Sequence, residues 1–345
     1  MRSLSWMIEP PSYGYERGGA LYVPSFKELI RHFFSRVNPF ATAKNWVPFF
    51  SWFTLVVFAI PFGFFLFKYL TLTNFIIAFI YSMVILGTHG TIWYHRYATH
   101  HAYEFGHPIF RFITRHLVVK IIVDELYVIS HYVHHQLSEK PGDPYNVNGG
   151  WWYCFLADAN HQPIHRNMTE KDYNTCARLV SHLGYKTNTY EQYKKWGSIA
   201  HPVWTILETF LNWAAWYGIL YLIGGHALSC TIFAACGVWA VGVRTFNFDG
   251  HGAGKDKRQE GIDFYTKDKS INQLWPGLVT GEWHNNHHLY PNSARNDFQA
   301  YQLDYAWYYI RALYAIGAIK SYKDHKKEFT EKYLAPYIQA RLLKA

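Results

Sequence analysis

From Asn45 to Phe67 the chain carries no Asp, Glu, Lys or Arg, and after the single Lys68 it is uncharged again from Tyr69 to His95. A helix that crosses a bilayer needs about 20 mostly apolar residues, so each stretch is long enough to span. A second pair follows Glu208, where Thr209 to Val243 is free of charge apart from a Gly224-Gly225 break. The pattern predicts spans at about 47–67, 72–94, 202–223 and 228–245, paired in two hairpins with short connections. Each hairpin returns the chain to the side it left. Residues 1–45, a cap of 95–201 and 246–320, and a tail of 321–345 then share one face. Nearly all Lys and Arg fall in these segments and only Lys68 lies opposite, which makes the shared face cytoplasmic, in a bacterial inner membrane or the endoplasmic reticulum. The formal net charge of +9 suits a surface resting on anionic head groups or receiving an acidic substrate. Its basic residues are dispersed and no nucleic-acid fold signature occurs, so nucleic acid is excluded as a partner. Cys154, Cys176, Cys230 and Cys236 form no CxxC pair, which excludes a disulfide framework or a thiolate zinc site. The N-terminus lacks the basic-then-apolar layout of a cleavable signal.

Histidines cluster where the spans meet that face. HRYATHH carries His95, His100 and His101; SHYVHHQ carries His131, His134 and His135; NFDGH sets Asn247 four residues before His251; GEWHNNHH carries His284, His287 and His288. Residues three and four apart share a helix face, so each HxxHH run aims its rings together. Imidazole suits zinc, copper, iron and nickel alike. Structural zinc is closed by four ligands, whereas some nine histidines imply two ions. His95 and His100 are five apart, about 140° around a regular helix, which sends them to different ions unless the helix frays. Histidines three and four apart can also divide between neighbouring ions. A zinc pair would suggest hydrolysis with a carboxylate base. None lies between the paired histidines, although Asp249 and Glu282 are near, and no separate acid or base is assigned. A redox pair at the mouth of two membrane hairpins points to oxygen chemistry on a lipid. The expected fold is an all-α integral membrane protein, four transmembrane helices in two hairpins under a helical cytosolic cap that holds a di-metal centre.

These stretches resemble the boxes of the membrane-bound fatty acid desaturases, in particular the Δ9 acyl-CoA desaturase-like branch. HRYATHHAY is similar to HRxxxHRAY, SHYVHHQLSEKPGDPYN to HRxHHxxSExxxDPxN, GEWHNNHHLYP to GExxHNxHHxFP, and NFDGH to NxxxH, over about Trp46 to Tyr314. The resemblance implies two iron ions held by His95, His100, His131, His134, His135, His251, His284, His287 and His288, with Asn247 acting through water. His101 stands where the family has Arg and is not expected to ligate; His89 is expected to line an acyl tunnel or bond a neighbouring helix. The implied reaction inserts a cis double bond into a fatty acyl chain using O2 and two electrons. Ile129, Ser130 and Tyr132 replace residues commonly charged in the acyl-CoA branch, so a CoA thioester, acyl carrier protein and a glycerolipid all stay open as carriers. No HPGG haem motif occurs, so a separate donor such as ferredoxin, or cytochrome b5 with its reductase, is expected. The basic loop of Lys255, Lys257 and Arg258 reads as a solvated surface run. Competing readings are a membrane di-iron hydroxylase, a zinc-dependent membrane hydrolase, and a metal-binding transporter or sensor; transport calls for ionisable residues within the spans, where only His89 and Glu208 stand.

Overall fold

The computed structural model describes residues 6–273 and 283–344. Among them three helices are long and apolar enough to cross a membrane, Ala43–Tyr69, Leu72–Thr99 and Pro202–Gly250. Straight, the third would reach about 74 Å, more than twice the thickness of a hydrocarbon core. It is not straight. Gly224 (φ −145°, ψ 20°) and Gly225 (φ 64°, ψ −164°) leave helical geometry, and the Ser229 hydroxyl donates to the Tyr217 carbonyl at 3.2 Å. Twelve residues of helix would part those groups by about 18 Å, so the chain folds back at the two glycines. Only glycine enters the left-handed region of residue 225 at little cost. Between the first two helices the Thr71 hydroxyl accepts the Asn74 N–H (3.1 Å) and the Asn74 amide donates to the Tyr69 carbonyl (2.7 Å), closing the turn.

The apolar helices pack through Phe58, Leu86, Trp213, Phe233, Cys236 and Trp239. Gly90 permits a close approach, since a β-carbon there would lie 2.8 Å from the Trp239 ring. Val56, Ile60, Phe67, Leu72 and Leu222 point outward and exposed, a surface matched to lipid rather than water. The second helix is not regular: Ile80–Leu86 and Thr91–Thr99 are π-helical, as is Phe65–Tyr69 after Pro61 in the first.

The segments outside the apolar helices are mainly helical, with Phe26–Arg36, Asp124–Leu137, Glu170–Val180, His284–Leu289 and Tyr305–Ala315 among their helices. Two short antiparallel strand pairs interrupt the all-α expectation, Glu16–Arg17 with Ala20–Leu21 and Tyr103–Phe105 with Ile319–Tyr322. The second pair runs across residue 320, where the sequence suggested a boundary, and beyond it Phe329 is buried against Phe298. Arg96, directly after His95, is fully buried; it donates to Asp304 (2.7 Å) and to the Ala294 carbonyl (2.6 Å). Asp304 also accepts the Asn296 N–H (2.8 Å) and caps Tyr305–Ala315 through the Trp307 N–H (3.0 Å). One buried pair therefore fixes the end of the second apolar helix against the segment following the last histidine cluster. Removing one partner of such a pair costs about 3–5 kcal/mol, whereas replacing both by apolar residues is far milder. Arg96→Met is expected to lower the thermal unfolding midpoint in detergent sharply, and Arg96→Met with Asp304→Leu to recover most of the loss.

Candidate metal centre

Asp124–Leu137 starts with two acidic residues at its positive end, Asp124 and Glu125, and carries His131, His134 and His135. The other HxxHH run, His284–Leu289, has only six residues, too few for a helix to persist unaided. Its neighbours hold it. The Asn272 side-chain oxygen accepts the N–H groups of Asn285 (3.1 Å) and Asn286 (3.2 Å), while the amides of those two donate to the carbonyls of Ser270 (2.8 Å) and Asn296 (2.6 Å). The two asparagines between the histidines therefore anchor the helix.

The nine histidines fall into two groups whose ligand nitrogens lie within 4.8 Å of one another, His95, His100, His131, His135 and His287 in the first and His134, His251, His284 and His288 in the second. Each HxxHH helix gives its i, i+4 pair to one group and its remaining histidine to the other. His95 and His100 stand in the same group, as regular α geometry would not allow but a helix end departing from it does. The His100 N–H bonds the His95 carbonyl at 3.2 Å, an i→i+5 bond that ends the π-helical segment and brings the rings to 5.0 Å. The groups are neighbours, with the rings of His135 and His288 4.5 Å apart.

In the first group the Nε2 atoms of His95 and His131 are 2.6 Å apart, His131 and His135 3.0 Å, His135 and His287 2.8 Å, and His287 and His95 2.9 Å. Two nitrogens each about 2.1 Å from one ion and at right angles lie about 3.0 Å apart, so these spacings fit the edges of a coordination polyhedron. In the second group the Nε2 atoms of His134, His251, His284 and His288 are buried with no hydrogen-bond partner. Three of those rings are oriented from behind: His134 Nδ1 meets Asp143 (2.9 Å), His251 Nδ1 meets Glu139 (2.9 Å) and His288 Nδ1 meets Asp268 (2.8 Å). A carboxylate that accepts the Nδ1 proton leaves the Nε2 lone pair facing the group. The carboxylates are themselves fixed, Asp143 by the N–H of Tyr145 (2.9 Å), Glu139 by that of Lys269 (2.7 Å) and Asp268 by the Ser138 hydroxyl (2.9 Å). Glu139 adopts φ 61°, uncommon outside glycine. Burial holds His131, His135, His284 and His287 well below the usual imidazole range, and His288 at about 4 despite Asp268. His134 alone rises, because Asp143 outweighs its burial. Neutral imidazoles are the form that binds a metal.

Sequence reasoning missed these three carboxylates. Glu139 and Asp143 sit inside the quoted second box, whereas nothing local marks Asp268. Asn247 is buried with Oδ1 unpartnered. His101 is exposed at φ 49° and belongs to neither group. His89 bonds the Thr114 carbonyl at 2.8 Å, the second of its two expected roles. Asp249 is also outside the groups, and Gly281 and Glu282 lie outside the described residues. Tyr127, Tyr145 and Phe246 set their rings against His131 (5.3 Å), His134 (5.5 Å) and His284 (4.9 Å) and together line a cavity of about 50 Å³ that Asn247 also borders.

The sequence profile of the fatty acid desaturase family matches residues 70–326. The Delta-9 acyl-lipid desaturase 1 of Arabidopsis thaliana is 27% identical over 244 residues, 66% of this chain and 68% of the relative. The icosanoyl-CoA 5-desaturase of Limnanthes douglasii is 27% identical over 258 residues, 71% of this chain and 65% of the relative. The chloroplastic palmitoyl-monogalactosyldiacylglycerol delta-7 desaturase of Arabidopsis thaliana is 29% identical over 206 residues, 55% of this chain and 46% of the relative.

Loss of a residue that orients a metal-binding histidine typically lowers metal affinity about 10–100-fold. Asp143→Asn, Glu139→Gln and Asp268→Asn are each expected to release metal to a competing chelator at correspondingly lower chelator concentration, with metal per chain as the readout.

Proposed function

The chain belongs to the fatty acid desaturase family, and from that premise we propose that its clustered histidines hold two iron ions and that it uses O2 and two electrons from a separate donor to set a cis double bond in a fatty acyl chain. It is an oxidoreductase acting on fatty acyl chains. The observation that carries the finer reading is the pair of adjacent all-imidazole groups beside a partly apolar cavity. His95, His100, His131, His135 and His287 would hold one ion; His134, His251, His284 and His288 the other, with Asn247 acting through a water. Iron supplies the redox chemistry that oxygen activation requires and that zinc lacks. Asp143, Glu139 and Asp268 place three negative charges behind ligands of the second ion, offsetting the cost of burying two divalent cations.

Two hydrogens leave adjacent methylenes; with two electrons from the donor and two protons they reduce one O2 to two waters. An unactivated C–H bond is selected only by position, so the chain's own contribution is to hold those methylenes against the centre. Tyr127, Tyr145 and Phe246 are the walls that touch both the cavity and the histidines. Ile129 and Ser130 are fully buried, offering no surface charge to coenzyme A phosphates, and this favours a glycerolipid as the carrier over CoA or acyl carrier protein. The acyl-lipid relative is named for that kind of carrier and the icosanoyl-CoA relative for the other. The apolar helices and the reversal at Gly224 and Gly225 support four crossings in two hairpins, and the placement of Lys and Arg supports a cytoplasmic cap, in a bacterial inner membrane or the endoplasmic reticulum. Electrons would arrive from a ferredoxin or from cytochrome b5 with its reductase.

Expression in a host lacking desaturases should give lipids with one new double bond by mass spectrometry, absent with His135→Ala. Active, purified protein should contain two irons per chain. Zinc without iron, or hydroxylated in place of unsaturated products, would overturn the reading.

A further inference from the structure

A row of aromatic side chains that the reaction does not use leads from the histidines towards the surface. Tyr153 is its inner member. Its phenol donates to the Asp143 carbonyl at 3.5 Å, and the Asp143 carboxylate is the one that orients His134 (2.9 Å). Gly149 leaves room for the Tyr153 ring, since a β-carbon there would lie 2.5 Å from it, and the ring lies flat on that of His161 at 3.9 Å and 20°. Both are buried. His161 Nε2 meets the hydroxyl of half-buried Tyr13 at 3.0 Å. The Tyr13 ring stands 6.4 Å from that of Tyr22, whose hydroxyl donates to Glu28 (2.9 Å) and over which the exposed Arg17 lies.

The Tyr13–His161 pair is a costly way to fill space. His161 Nδ1 is buried with no hydrogen-bond partner, where an apolar ring would leave nothing unsatisfied. Burial holds the Tyr13 phenol above its usual range and His161 well below its own, so both are neutral at pH 7 and the proton stays on the phenol. A phenol that loses an electron becomes a strong acid. The electron therefore leaves readily only where a base within hydrogen-bond reach takes the proton at the same time. Tyr13 has that base. Tyr153 meets a carbonyl, which takes no proton, and the Tyr15 hydroxyl is buried and unpartnered. A phenol ring gives up an electron but does not take one, so the row suits oxidation of tyrosine by the centre and not delivery from the donor. A centre able to attack an unactivated C–H bond, finding no acyl chain, oxidises what stands next to it, and its own histidines stand nearest.

We propose that Tyr13 is a redox-active tyrosine that quenches the centre: when O2 has been activated with no acyl chain in place, an electron passes from the Tyr13 ring through His161 and Tyr153 to the centre. The hydroxyl proton moves to His161 Nε2. An O–H bond breaks and an N–H bond forms, leaving a neutral tyrosyl radical, an imidazolium and a centre reduced by one electron. A one-electron reductant of the ascorbate class, reaching Tyr22, restores Tyr13 and the proton returns from His161. The proposal rests on the oxygen-activating reading above and adds a protective function to it.

Its test reads the radical and not the product. Iron-loaded, reduced full-length protein in detergent is mixed with O2 without acyl substrate, frozen, and followed by electron paramagnetic resonance. Wild type is expected to give an organic radical whose spectrum narrows with ring-deuterated tyrosine. Placing 3-fluorotyrosine at position 13 alone should split the signal, and Tyr13→Phe should abolish it. Tyr13→Phe should also desaturate at the wild-type initial rate, yet under O2 without substrate lose iron sooner and collect oxidised residues beside the histidines, read by peptide mass spectrometry. No tyrosine-derived radical, a radical indifferent to fluorine at position 13, or equal survival of Tyr13→Phe overturns the proposal. Fluorotyrosine keeps the ring and the hydroxyl, so it decides the matter even if Tyr13→Phe does not fold. A radical at Tyr13 with no new double bond in any lipid would leave the quenching role standing and remove the desaturase reading; new double bonds without the radical would do the reverse.

Discussion

Imidazole nitrogens set 2.6–3.0 Å apart repel unless something positive, a shared proton or a metal cation, lies between them. A metal cation held there, as proposed above, would turn that repulsion into bonds. The nine rings come from four stretches between residues 95 and 288, two of which also pack through Ile92, Trp93, Tyr97, Val128, Ile129 and Val133. A metal bound by these rings would couple its binding to the folding of the segments that carry them. Around the rings lie carboxylates that orient them, asparagines that pin a six-residue helix, and the Arg96–Asp304 pair that fixes one apolar helix to the cap.

The reciprocal contribution of the two HxxHH helices has a mechanical side. Asp124–Leu137 and His284–Leu289 each supply both groups. Neither helix can shift relative to one group without shifting relative to the other, so the distance between the two groups is set by two rigid elements. The apolar helices serve a different purpose. They deliver His95 and His251 at their ends and keep the cavity beside the histidines partly apolar.

What could be read in the sequence was what is local. Charge-free runs announce apolar helices by composition, the three-and-four spacing of His131, His134 and His135 announces a shared face, and Gly224-Gly225 marks the reversal. What escaped depends on distance or on backbone detail. Asp268 lies 20 residues from His288 and Glu139 lies 112 from His251, with no periodicity linking either pair. The Arg96–Asp304 pair joins residues 208 apart. The strand pairs are two to four residues long, too short for an alternating pattern to show. Regular α geometry would part His95 from His100, and the wider winding that brings them together leaves no mark in the sequence.

That wider winding limits how the second apolar helix can vary. A π turn holds one residue more than an α turn, and Thr91–Thr99 uses the surplus to bring the His100 ring within 5.0 Å of that of His95. Substitutions there change side chains and leave the count intact. A one-residue deletion would let the coil relax, turning one imidazole away from its partners, and a one-residue insertion would overshoot. The segment works as a ruler graduated in whole residues, so lineages carrying this chain should diverge in its letters while keeping its length.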